Sequence, residues 1–150
     1  MILYTTYFAK LAKLPNDIVP ISICLWPPKG VQIQSVPCLA PTQSILQEYK
    51  RQPDERRYTD RYCKEVLTQM NPHRVLDALL KLSGGKDIAL VCYEKSGSFC
   101  HRTIAAKWLE PALRAIDGTM GGEWNGSKHT TCALYQKIWG AQLHISRKEP

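Results

Sequence analysis

The run Asp87-Ile-Ala-Leu-Val-Cys-Tyr-Glu-Lys-Ser-Gly-Ser-Phe-Cys-His-Arg102 decides how the chain is read. After Asp87 it is continuously apolar as far as Cys92, and turn formers bound it. That is the pattern of a short strand buried on both faces of a parallel sheet. Ser96-Gly97-Ser98 marks a tight connection. From Thr103 to Leu113, Ile104, Ala105, Trp108 and Leu109 recur at helical spacing. Pro111 is expected to sharpen or kink the end of that helix.

The same alternation extends outward. Met1 to Phe8 is rich in β-formers and predicts a first strand. Phe8, Leu11 and Leu14 suggest a short helical stretch, and Pro15-Asn16-Asp17 a turn. Ile18 to Cys24 reads as a second buried strand with Pro20 near its start. Leu25 to Pro41 holds Pro27, Pro28, Gly30, Pro37 and Pro41, so it is expected to be irregular. Three helices follow. Thr42 caps the first, which carries Ile45, Leu46 and Tyr49 on one side. The second shows Tyr58, Tyr62, Val66 and Met70 as a stripe. The third opens on Asn71-Pro72, buries Val75, Leu76, Leu79 and Leu80, and ends at Ser83-Gly84-Gly85. Gly118 to Ser127 reads as loop, Cys132 to Trp139 as a last helix and Ala141 to Ile145 as a short strand. Strands alternating with helices predict one α/β domain over 1–150, three-layered and Rossmann-like, with a short, mainly parallel sheet flanked by helices.

Composition agrees. At 150 residues and 44% hydrophobic the chain has the length of one domain and enough apolar side chains for a core. It is too hydrophobic to be disordered, and it has no apolar run long enough to span a membrane. MILYTTYFAK lacks a charged segment ahead of an apolar one, so a cytoplasmic location and reduced thiols are expected for its six cysteines. Twenty basic against 13 acidic residues leave +7. That surplus suits either plain solubility or an anionic partner. Lys50, Arg51, Arg56, Arg57, Arg61 and Lys64 alternate with Asp54, Glu55, Asp60 and Glu65, as on a solvated helical face.

Chemistry concentrates between Cys92 and Arg102. In open α/β sheets ligands bind outside the carboxyl ends of the strands, and helix N-termini favour anions. That corner holds two thiols, an imidazole, a carboxylate and a guanidinium. Cys100 is the candidate nucleophile, because a helix N-terminus with His101 and Arg102 beside it favours the thiolate. His101 is a candidate proton partner, and Glu94 orients it or acts as base. Arg102 is the candidate phosphate contact. Cys92, Tyr93, Lys95 and Ser98 complete the ligand-binding set, with Trp26 and Lys29 from the loop after the second strand to stack on a base and neutralise charge.

Each residue also has a plain structural reading: Cys92 as core, Cys100 as a small capping residue, Arg102 as a partner for Glu94, Trp26 as a lid. A phosphatase loop needs arginine six residues after its cysteine, and Ser98 stands there instead. Zinc on Cys92, Cys100 and His101 lacks a local fourth ligand, with Cys24, or His129 and Cys132, as distant sources. No C-x-x-C supports a Cys92–Cys100 disulfide. No cofactor is therefore expected, with zinc as the minor alternative.

Upstream of this box, Tyr4-Thr-Thr-Tyr7, Ile21-Ser-Ile with Pro27-Pro28-Lys29, and Leu39-Ala-Pro41 accompany Asp87-Ile-Ala-Leu-Val-Cys92 and Phe99-Cys-His-Arg102. Over about residues 1–115 this set resembles the prokaryotic and phage family called domain of unknown function 488. The resemblance implies a small α/β domain with its site at Cys92, Glu94, Cys100, His101 and Arg102, and leaves the reaction open. Residues 116–150 read as an extension without a recognised likeness. Two functions remain: an enzyme acting on a nucleotide, nucleoside or nucleic acid, and a non-catalytic binder of such a ligand, for example a phage protein that sequesters a nucleotide signal. Oligomeric state is not legible.

Overall fold

A computed structural model describes residues 1–124. Strand β4 (Asp87–Cys92) lies at the centre of a five-stranded sheet. On one side it pairs with β1 (Ile2–Tyr7), which pairs with β5 (Thr119–Glu123). On the other it pairs with β2 (Ile18–Ser22), which pairs with β3 (Gln34–Ser35). Every pairing is parallel, so the expected parallel α/β architecture is present. Asp87 pins the sheet's lower edge, its carboxylate accepting from the Ile2 amide at 2.8 Å.

Period-2 alternation sends each strand's residues to two cores. Leu3, Ile21, Ile88 and Leu90 meet helices α1 (Gln43–Arg51), α2 (Glu55–Glu65), α3 (Pro72–Ser83) and α4 (His101–Arg114). Tyr4, Ile18, Ala89 and Trp124 form the opposite face, against which Leu14 packs. The helices begin where capping chemistry puts them. Thr42 accepts from the Ile45 amide, Asp54 from Arg57, and Asn71 from His73 and Arg74. Gly84, left-handed at φ 61°, ends α3. Pro111 does not end α4, which runs on to Arg114.

Three segments differ from their sequence reading. Phe8–Lys13 is a 3-10 turn with no buried residue; apolar residues at every third position follow the 3-10 repeat rather than the α repeat. Within Leu25–Pro41, β3 pairs with Ile21 and Ser22. It reaches no further along β2, so Pro20 stands where β2 is still an edge and proline is tolerated. Finally, Gly118 to Ser127 is not all loop, because Thr119–Glu123 is β5. Gly121 serves packing: a Cβ there would lie 2.3 Å from the buried Tyr4 ring. Gly121→Ala should destabilise the fold by about 1–3 kcal/mol through overpacking, read as a lower denaturation midpoint at unchanged m-value. The helix and strand expected beyond Ser127 lie outside the described residues.

Candidate functional site

The connections leaving β2 and β4 diverge. From β2 the chain turns to β3 on one flank. From β4 it passes through α4 and over β1 to β5 on the other. Two neighbouring strands whose exits part in this way leave a crevice at their carboxyl ends, the usual ligand site of an open α/β sheet. Cys24 beyond β2, Cys92 at the end of β4 and Cys100 at the start of α4 converge there as one buried cluster, with Phe8 against it. Cys100 occupies the N-cap of α4 yet makes no side-chain cap. Its thiol turns to Glu94 instead, with Sγ 2.9 Å from Oε2.

His101 is buried and its ring orientation is set from outside the cluster. Nε2 donates to the Ile23 carbonyl at 2.8 Å. Nδ1 therefore faces the sulfurs, 3.8 Å from Cys92 Sγ and 3.9 Å from Cys100 Sγ. The edge of the buried Tyr62 ring supports the imidazole at 5.5 Å, and the Tyr62 hydroxyl donates to the Leu39 carbonyl at 2.6 Å. The long loop's exit is thereby tied to the wall of the site.

The two thiols split in acidity. Burial pushes Cys100 up, but the hydrogen bond from Cys92, the imidazole of His101 and the charge of Arg102 together outweigh it and bring Cys100 down to about 6. The hydrogen bond to Cys100, reinforced by burial, holds Cys92 far above the usual thiol range. One proton thus stays on Cys92, and Cys100 is the sulfur that ionises. Burial raises Glu94, but hydrogen bonds from Cys100 and Cys92 leave it below the ordinary carboxylate range. At neutral pH this carboxylate is ionised and accepts the hydrogen bond of the Cys100 thiol. Burial also raises Cys24, opposed by its hydrogen bond to Ser22, 3.1 Å away.

The remaining residues singled out from sequence fall on the rim or behind it. Trp26 and Tyr93 are 57% and 50% exposed, and the Tyr93 hydroxyl donates to the Trp26 carbonyl. Phe8 meets the Tyr93 ring edge-on at 5.0 Å. Lys29 and Lys95 are exposed. Ser98 is exposed too, and its amide is used by the Lys95 carbonyl in a turn that places Gly97 at φ 79°. Arg102 is fully buried. Its carboxylate partner is Glu123 of β5, at 2.7 Å, rather than Glu94, and its Nη2 also reaches the Lys95 carbonyl. Its Nε and Nη1 have no hydrogen-bond partner among the described residues. Sequence reasoning missed Glu123 because Gly121-Gly122 made that segment look like a loop. It missed Ile23 because a backbone carbonyl carries no residue-type signal.

Cys92 Sγ, Cys100 Sγ and His101 Nδ1 all lie within 4.8 Å of one another and form a possible metal-ligand group. The five described cysteines are all free. Among the described residues no helix is long and apolar enough to cross a membrane.

A parallel sheet with thiols, an imidazole and a carboxylate at its switch point defines an α/β domain whose candidate site is centred on a cysteine cluster. Within that class the chain belongs to the DUF488 family. Residues 4–113 match the family model DUF488-N3a, described as the active DUF488-N3 subclade. The match includes every site residue but Glu123. No curated protein and no solved structure matches the chain.

Proposed function

We propose that this chain is an enzyme that binds a phosphate-bearing ligand (a nucleotide or nucleic acid), or the corresponding nucleoside, at the β2/β4 crevice and hydrolyses or transfers a group on it. The observation that carries this reading is the Cys100 thiol, brought down to about 6 and 2.9 Å from Glu94. Cys100 attacks the ligand as the thiolate, and the leaving group departs with the bonding pair and takes a proton from water. Glu94 is the base that deprotonates the water which then releases the ligand from Cys100, with His101 Nδ1 beside both sulfurs. The uncapped N-terminus of α4 favours negative charge beside Cys100. Trp26 and Tyr93 offer aromatic faces for a base, and Lys29 and Lys95 offer charge near phosphate. A cytoplasmic setting suits a free thiolate.

The test incubates the protein with nucleosides, mono-, di- and trinucleotides and short oligonucleotides, and follows conversion by mass spectrometry. Conversion by the wild type that drops at least about 100-fold in Glu94→Gln is expected. Exposed Trp26 and Tyr93 also suit a non-catalytic binder. Ligand binding without conversion, unchanged in Cys100→Ser, would replace the enzymatic reading with that one.

A further inference from the structure

We infer that Cys92, Cys100 and His101 form a binding site for a thiophilic divalent cation, Zn2+ in the first instance. Three ligand atoms of the right kind already face one point. His101 Nδ1 lies 3.8 and 3.9 Å from the two sulfurs. Around tetrahedral zinc, Zn–S near 2.3 Å and Zn–N near 2.0–2.1 Å put ligand sulfur and nitrogen about 3.6 Å apart. The imidazole need only draw in by a few tenths of an ångström, and the two sulfurs lie within 4.8 Å of each other.

The imidazole is oriented as metal-bound histidines are. Its far nitrogen donates to a backbone carbonyl, that of Ile23, leaving Nδ1 for the metal. Two thiolates and a neutral imidazole balance a dication, which suits a buried position, and sulfur ligands select zinc over magnesium or calcium. Binding releases the thiol protons to the buffer.

Three protein ligands leave a fourth position open to water, the arrangement of catalytic rather than structural zinc. Glu94, 2.9 Å from Cys100 Sγ, is too close to that sulfur to share a tetrahedron with it unmoved. The metal site does not rest on the enzymatic reading above. If both hold, zinc takes the Cys100 thiolate as a ligand and silences it as a nucleophile.

Cobalt titration of the full-length, reduced and metal-stripped protein tests the site, because tetrahedral Co2+ reports its ligands by colour. One equivalent is expected to produce a thiolate-to-cobalt charge-transfer band and strong visible d–d bands, both bleached by one equivalent of Zn2+. Cys92→Ser should weaken binding at least about 10-fold and reduce the charge-transfer band, whereas Cys38→Ser, at an exposed turn cysteine, should change neither. Because Cys92→Ser alters a buried site, the wild type supplies an independent measurement. One equivalent of Zn2+ should protect Cys92 and Cys100, but not Cys38, from alkylation as read by peptide mass spectrometry. A colourless titration overturns the site, as does a band that survives Cys92→Ser and disappears in Cys132→Ser. Zinc binding with no turnover of any nucleotide would sustain this inference and remove the enzymatic one.

Discussion

Cys100→Ser is expected to lower turnover by about 1,000-fold or more, since serine cannot supply a ready anion and the remaining groups act only through the nucleophile. The pH dependence gives this result its specificity. Cys100 is the thiol brought down to about 6, so its reactive form fills in as pH rises through that value and is nearly complete by neutrality. The rate of Cys100 modification by a small haloacetamide should therefore climb through about pH 6 and then level off. An ordinary cysteine would still be climbing near its unperturbed value of about 8.5. Cys92→Ala removes the thiol that donates to the Cys100 sulfur, and the midpoint should move upward. A wild-type midpoint between 8 and 9, estimated as about the free-thiol value, would sink the nucleophile assignment even if Cys100→Ser were inactive.

The second large effect is on stability. Arg102 is fully buried and, among the described residues, its carboxylate partner is Glu123, itself 23% exposed. Removing one member of such a pair leaves the other charged and dry, so Glu123→Ala should destabilise the fold by about 3 kcal/mol or more. In a chain of this length that lowers the melting temperature by roughly 10 °C. The conservative Glu123→Gln keeps an acceptor for Nη2 and should lose less. Arg57 and Glu48 set the contrast. Their ion pair sits on an arginine that is 66% exposed, and Arg57→Ala should alter stability by less than about 1 kcal/mol. Thermal unfolding of the variants side by side reads the difference, and equal losses would mean the Arg102–Glu123 pair is solvated in solution. The pair also bears on the site, since Arg102 is one of the charges that favour the Cys100 thiolate. Glu123→Ala should therefore disturb reactivity as well as stability.

Much of this was legible in local pattern. β4, α4 and the loop between them follow from an unbroken apolar run, a Ser-Gly-Ser turn and helical spacing. The caps at Thr42 and Asn71 follow from residue type and position. Cys92, Glu94, Cys100 and His101 stand close in sequence, so any strand–loop–helix arrangement keeps them within one corner. β5 was hidden because glycine lowers strand propensity. Here its small size is what the Tyr4 ring requires, and that contact spans most of the chain.

Residue types and short-range periodicity were therefore enough for the parallel α/β class and for the chemical groups of the site. Which atoms face one another had to come from long-range pairing. β2 had to lie beside β4 before the Ile23 carbonyl could reach His101 and turn Nδ1 toward both sulfurs. β5 had to lie beside β1 before Glu123 could claim Arg102. Acidity depends on those contacts and on burial. Two identical thiols eight positions apart thus become one that keeps its proton and one that gives it up.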